Sequence, residues 1–458
     1  MAQDALSEFV EAAAAEHGIP GAAVGVWAQG REIHACHGVT SIENPLPVDQ
    51  DTLFRVASIT KTYTATALMR LVADGRVALD APVRTYVPEL VLADEAAAEE
   101  VTVLHLLNHT AGLDWALIAE TGDGDDALAA YVARMAELKL IAPLGARASY
   151  SQAGFNLAGR VVEKATGMTY ERAVASLVLE PLGLERSFFD ADSVMTRRFA
   201  MGHNRGEDGD LSVARPWRVT RGNNPGGGLV SSAADQLRWA RFHMGDGRAP
   251  SGVRVLPAEL LERMREPTVA LRASALGDAL GISWLLRDVD GLRIAGHGGS
   301  ANGQFAELWA APEREFAVVS LANAGPDGIP FNKAVVRWVL EHYLGVVDRD
   351  PEPLPYDEAR AREIVGRYEI DAMTLTISAQ APELMLEVVI KPEIRAAADP
   401  APPPDHAPFA MGLLPAADEY VLTAGALAGQ RGFFTRDAGG AVVGVDLAGR
   451  LFSRVAGA

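Results

Sequence analysis

Ser58-Ile59-Thr60-Lys61 places a hydroxyl and an amine one helical turn apart, where the sequence changes from an extended pattern to a helical one. Side chains at i and i+3 share a helix face. Phe54-Arg55-Val56-Ala57 reads as an extended entry, and Thr62 to Leu71 continues with apolar residues at helical spacing, so Ser58 stands at the start of a buried helix. The chain holds eighteen serines but only five lysines. Chance alone supplies about 0.2 serine-x-x-lysine matches at that composition, so the one present carries weight. Ser58 has two readings. As a helix N-cap its hydroxyl accepts a bond from a backbone N–H two or three residues on. As a nucleophile it uses the helix start to stabilise developing negative charge, and Lys61 takes its proton. An amine does so only when neutral, which requires burial and neighbouring cations to lower its pKa.

Two further segments carry matching chemistry. Tyr150-Ser151-Gln152 follows a Pro-Leu-Gly loop and precedes the helical pattern Ala153 to Val162, so the phenol is presented at an element boundary. On its own a tyrosine there is packing. His297-Gly298-Gly299-Ser300 ends the strand-like Leu292 to Gly296. Consecutive glycines in a strand either form a bulge or turn or let another backbone or a ligand come close.

Together these elements resemble the serine beta-lactamase and penicillin-recognising family. The resemblance is to its branch of class C beta-lactamases, D-aminopeptidases, family VIII esterases and penicillin-binding-protein-like thioesterases. There a serine-x-x-lysine, a tyrosine-x-asparagine and a lysine- or histidine-x-glycine meet in one cleft. Here they correspond to Ser58 with Lys61, Tyr150 with Gln152, and His297 with Gly299, Gly298 lying between the last two. Thr102 to Leu113, Gly226 to Asp235 and Gly303-Gln304-Phe305 also match, in order. One position departs: Gln152 stands where the family has asparagine. It keeps the amide but moves it by one methylene, enough to disturb the positioning of a particular substrate. That bears on beta-lactam turnover more than on acyl transfer in general.

The resemblance implies two-step acyl transfer. Ser58 attacks a carbonyl, neutral Lys61 with Tyr150 removes its proton, Tyr150 returns a proton to the leaving group, and His297 orients the network or binds substrate. The backbone N–H groups of Ser58 and Ser300 are implied as the oxyanion hole, with Gln152, Gly298 and Gly299 against the substrate. The expected function is a hydrolase of an amide or ester, similar to D-aminopeptidases and esterases. One alternative is a peptidyl-thioesterase or acyltransferase that cyclises or transfers a peptide. Another is a non-catalytic scaffold that keeps the cleft. The partner is a small-molecule or peptide acyl substrate, and the sequence does not give the oligomeric state.

Other patterns are weaker. His105 and His109 lie at i, i+4, but no glutamate follows His105 and no third ligand is apparent, so no metal and no cofactor is expected. Gly226-Gly227-Gly228 lacks the Gly-Lys-Ser/Thr of a phosphate cradle, and Ser232 with Asp235 reads instead as a capping-box-like helix start. No Gly-x-Ser-x-Gly elbow occurs. The net charge of −19 opposes nucleic acid and anionic membranes. The single Cys36 cannot form an internal disulfide. No signal-type segment or apolar run of about twenty residues appears, so a cytoplasmic location is expected.

Periodicity divides the chain. Residues 1–345 read as an α+β domain with an early hairpin (Ala22 to Ala28, Arg31 to Gly38) and the late strands Phe305 to Ala310 and Phe316 to Ala322, and the resemblance implies that these share an antiparallel sheet flanked by helices. The predicted helices cover 4–16, 60–73, 102–109, 126–139, 154–165, 169–177, 233–244 and 332–344. Residues 346–356 are an acidic, proline-rich linker, read as a stiff spacer. Residues 357–458 carry six short strand patterns and a low-complexity loop at 396–407, similar to the lipocalin-like β-barrel of some family members. Arg450 and Arg454 flank the last strand pattern. They are either carboxylate-binding groups or charges that protect a solvated edge strand.

Overall fold

The computed structural model describes residues 2–115, 120–206, 208–217, 220–397, 405 and 407–455. Among them an eight-stranded sheet forms the spine. Its order is Arg31–Gly38, Gly21–Ala28, Phe316–Ala322, Gln304–Ala311, Leu292–Ala301, Leu285–Val289, Gly277–Leu280 and Val269–Ser274, antiparallel throughout. The early hairpin therefore joins the late strands, as expected.

Alternation along the central strands builds two cores. Ala306, Leu308 and Val319 face a large helical layer with Tyr63, Leu68, Phe155 and Trp239. Trp309, Phe316 and Val318 face the opposite side, with Leu6 and Val10 of the Ala2–His17 helix and Phe331 and Val335 of the Gly328–Leu344 helix. With both faces covered, Phe316–Ala322 is buried at every position, which explains its unbroken apolar run.

The Thr60–Ala73 helix lies inside the helical layer. Its threonines are buried because each hydroxyl finds a partner: Thr62 Oγ1 donates to Ile59 O at 2.8 Å and Thr66 Oγ1 to Thr62 O at 2.8 Å. Tyr63 stacks on Trp239 at 3.9 Å, and Trp239 Nε1 donates to Thr62 Oγ1 at 3.0 Å.

Three local readings change. His297-Gly298-Gly299-Ser300 does not turn: the strand runs on to Ala301 in register with Gln304–Ala311. The helix at 102–109 is shorter, Val103–Leu107, capped reciprocally by Thr102 and His105. His109 lies beyond its end at φ +61°, so the two histidines share no helix face. Ser232 caps its helix, but Asp235 turns to Arg186 N and Ser187 Oγ, so no capping box closes.

The C-terminal region is a closed antiparallel barrel of eight strands, sealed where Tyr368 and Glu369 pair with Arg454 and Ser453. Two of its strands, Phe409–Leu413 and Glu419–Leu422, were not legible in the sequence. Gly412 interrupts the first because the linker packs there: a Cβ would collide with Pro353, and Leu354 N donates to Leu413 O at 2.8 Å. The low-complexity loop at 396–407 falls largely outside the described residues. The linker is stapled rather than free, with Asp350 held by Arg337 at 2.6 Å and Lys333 at 2.8 Å, and Asp348 by Arg287 at 3.1 Å. No helix among the described residues is long and apolar enough to cross a membrane.

Candidate active site

Ser58, Lys61, Tyr150, Gln152 and His297 meet where the helical layer abuts the sheet. The Phe54–Arg55 strand enters a 3-10 turn, Ala57–Ile59, that passes into the Thr60–Ala73 helix. Ala57 takes φ +45°, a left-handed conformation that disfavours a side chain, and the sharp junction leaves Ser58 half-buried between buried neighbours. The capping reading fails. The helix has no side-chain cap, and the Ser58 hydroxyl is bonded to Lys61 and Tyr150 instead.

Lys61 is fully buried. Its Nζ lies 2.7 Å from Gln152 Oε1, 2.6 Å from Gly226 O and 3.1 Å from Ser58 Oγ. The first two groups only accept hydrogen bonds, so they consume both N–H donors of a neutral amine. The lone pair is then left for the Ser58 proton. Burial, and secondly the Arg450 charge, hold Lys61 well below the usual amine range, which favours that neutral form. Gln152 reaches this position as the first residue of the Gln152–Thr166 helix, whose start Ser151 caps by accepting from Gly154 N at 3.1 Å. Its extra methylene is accommodated by Gly226, where a Cβ would collide with the Gln152 amide.

Burial pushes the Tyr150 phenol up to about 12, against the lowering effects of its Ser58 hydrogen bond and of Arg450. It therefore stays protonated at neutral pH, which suits it to donate a proton and not to act as a phenolate base. His109 lies against it, with ring centroids 4.4 Å apart, and His109 Nδ1 accepts from Ser151 N at 3.0 Å. This histidine orders the segment 149–151, a role that its sequence spacing did not reveal.

His297 is buried, with Nδ1 2.6 Å from the Gly298 carbonyl and Nε2 unpartnered. Burial, then the Lys61 charge, push it down to about 3, so at neutral pH it brings no positive charge to the cleft. Its ring centroid is 6.1 Å from that of Tyr150. Gly299 faces the nucleophile turn so closely that a Cβ would collide with Val56 O, which accounts for glycine in this strand. Gly298 lies on the opposite face, against the Glu307 carboxylate, and Ser300 is exposed at the open end of the strand.

The cationic group near Tyr150 comes from the barrel. The turn between Val442–Leu447 and Arg450–Arg454 inserts beside Tyr150, whose N–H donates to Gly449 O at 2.8 Å. The half-buried Arg450 guanidinium lies 4.9 Å from the Trp115 ring centroid and 5.4 Å from that of Tyr150. The edge-strand reading of Arg450 is thereby overturned, because the barrel is closed and leaves no edge there. Arg454 is elsewhere, with its guanidinium on the Glu363, Val365 and Val442 carbonyls. Burial pushes Asp446, behind Arg450, up to about 7, so it neutralises the guanidinium only in part near neutral pH.

Residues 6–337 match the family profile described as Beta-lactamase. Penicillin-binding protein 4 of Amycolatopsis lactamdurans is 34% identical over 371 residues, covering 79% of this chain and 96% of that protein. Esterase EstB of Burkholderia gladioli is 32% identical over 64% of this chain and 82% of its own. Among solved structures, SurE superposes with a TM-score of 0.75 at 26% identity over 99% of both chains, and was also solved with D-Leu.

Proposed function

The chain belongs to the beta-lactamase family, and from that premise we propose that it is a serine acyl-enzyme hydrolase of an amide or ester. The observation that carries this reading is the setting of Lys61 Nζ, within hydrogen-bond distance of two pure acceptors and of Ser58 Oγ, so that the neutral amine, with both N–H groups engaged, turns its lone pair to the Ser58 proton. Ser58 Oγ attacks the substrate carbonyl as its proton passes to Lys61 Nζ. The backbone N–H groups of Ser58 and Ser300 receive the oxyanion, and removing one such donor costs on the order of 10²- to 10³-fold in rate. Tyr150, protonated and bonded to Ser58, hands a proton to the leaving group. The proton on Lys61 then passes to the Tyr150 oxygen, which restores a neutral amine and a protonated phenol, and water releases the acyl group with Lys61 and Tyr150 acting in the same way. His297 fixes the strand edge by neutral hydrogen bonding and carries no charge.

Arg450 favours a second reading. A guanidinium beside the proton donor suits a substrate or acyl acceptor with a free carboxylate, which it pairs bidentately. The full-length similarity to SurE, solved with the amino acid D-Leu, supports the same direction. In that case an amine replaces water and the protein is a peptidyl-thioesterase or acyltransferase. Labelling by a fluorophosphonate, lost in Ser58→Ala, tests the nucleophile. Nitrocefin, aryl esters, D-amino-acid amides and peptidyl thioesters then separate the substrate classes, and absence of labelling together with inertness toward all four would leave a non-catalytic cleft.

A further inference from the structure

Arg55 immediately precedes the nucleophile turn, yet its side chain leaves the catalytic cleft. Phe54 enters the core, so Arg55, the next residue of the strand, points the other way. It is only 7% exposed, and its remaining surface opens into a cavity of about 560 Å³ bounded by Trp217, Asn224, Gly228 and Val230. Its backbone N–H is used, donating to Gln304 Oε1 at 3.0 Å. Its guanidinium makes no hydrogen bond, ion pair or ring contact with any described residue.

That isolation is unlike the rest of the molecule. In the 330 Å³ cavity between sheet and barrel, Arg287, Lys333 and Arg337 all meet Asp348 or Asp350. Within the Arg55 cavity itself, Arg221 is neutralised by Asp125 at 2.8 Å and Glu171 at 3.1 Å, and Asn224 Nδ2 donates to Glu171 as well. Those carboxylates are therefore already engaged. Burial alone pushes the Arg55 guanidinium down to about 10, which leaves it charged at neutral pH. A buried charge without a partner is expensive, and no described residue supplies the compensating group here.

We propose that Arg55 anchors a second ligand site, in which the carboxylate of a small molecule or peptide enters this cavity and pairs with the guanidinium. The volume suits a ligand of amino-acid to small-drug size. Exposed Asp190 and Asp192 at the rim make the entrance acidic. They favour a monoanion that also bears an amide or ammonium group and oppose phosphates and dianions. The site uses none of the groups assigned to acyl transfer, so it stands or falls independently of the function proposed for Ser58.

The test is calorimetric titration of the full-length Ser58→Ala protein with N-acetyl amino acids and with their primary amides. The expected result is saturable binding of the acids and at least about tenfold weaker binding of the matching amides. The titration is repeated with Arg450→Met added, so that the cleft arginine is gone: the difference persists there and is removed only when Arg55→Gln is added as well, which separates the two arginines. Hydrogen exchange gives a readout that needs no Arg55 variant: the acid slows exchange at 186–192 and 220–231 and leaves 146–151 unchanged. Equal binding of acid and amide, preferential binding of the acid that survives Arg55→Gln in the Arg450→Met background, or protection confined to 146–151 would each overturn the proposal.

Discussion

Tyr150 is held from two sides that differ in origin and chemistry. On one side Ser58, Lys61, Gln152 and the Gly226 carbonyl form a closed nest from the sheet-bearing domain, in which the amine is driven toward neutrality. On the other, Gly449 and Arg450 arrive from the barrel and bring a positive charge. The nest sets the proton chemistry and the hairpin sets the charge presented to a ligand. On the proposed function, reactivity and selectivity thus reside on separate segments, which touch at the Tyr150 backbone. On the proposed mechanism the bond from Tyr150 N–H to Gly449 O ties the barrel to the proton donor, so loss of residues 357–458 is expected to affect every substrate.

The sharpest way to break the comparison is at the nest. Ser58→Ala should abolish turnover of every acyl donor, and Lys61→Ala should lower kcat/KM by about 10²- to 10⁴-fold while folding is kept. The double variant should be no worse than Ser58→Ala, because the two act as one unit. Retention of more than about a tenth of the rate in Lys61→Ala would remove it as the base. Tyr150→Phe removes only the hydroxyl. Single-turnover acylation should slow by about 10²-fold or more with KM little changed, since the proton is needed mainly in the transition state. Unchanged acylation of a good ester would take Tyr150 out of the relay.

The hairpin should respond differently. Arg450→Met is expected to raise KM by about tenfold for donors or acceptors with a free carboxylate and to spare neutral esters. It should also move the pH profile. The Arg450 charge contributes to lowering the Lys61 pKa, so without it Lys61 keeps its proton to higher pH. The neutral base is then lost sooner on acidification, and the acidic limb of kcat/KM shifts upward. A downward shift, or an equal KM change for neutral and carboxylate substrates, would separate Arg450 from both roles.

The same division marks what could be read from the sequence. Ser58, Lys61, Tyr150 and His297 announce themselves through short spacings, because each sits where a strand and a helix meet or where a strand needs glycine. The helix 60–73 and the hairpin that forms one sheet edge follow from periodicity, whereas the strands Leu285–Val289, Gly277–Leu280 and Val269–Ser274 on the other side of the sheet were not read. The Gly226 carbonyl was missed because a backbone acceptor leaves no side-chain signal, and Gly449 for the same reason. His109 was read with His105 through a helical spacing that ends at Leu107. Arg450 lay between two readings because whether a strand is an edge depends on closure of the barrel, a pairing between residues far apart in the chain.

The smallest expected effect concerns Gln152 and Gly226, which the structure ties together. The glutamine amide occupies the space that a Cβ at residue 226 would fill, and it supplies one of the two acceptors for Lys61. Gly226→Ala should push the amide away and slow acylation by about tenfold or less, since the Gly226 carbonyl remains and only one hydrogen bond is disturbed. Gln152→Asn withdraws the amide by one methylene, so it should tolerate Gly226→Ala better than the native glutamine does. The double variant is then expected to be more active than the product of the single effects predicts, a coupling that a double-mutant cycle reads directly. Simple additivity would mean that the amide and the glycine act separately. In that event the longer side chain at 152 would have to be explained by the substrate it meets rather than by the room that Gly226 leaves for it.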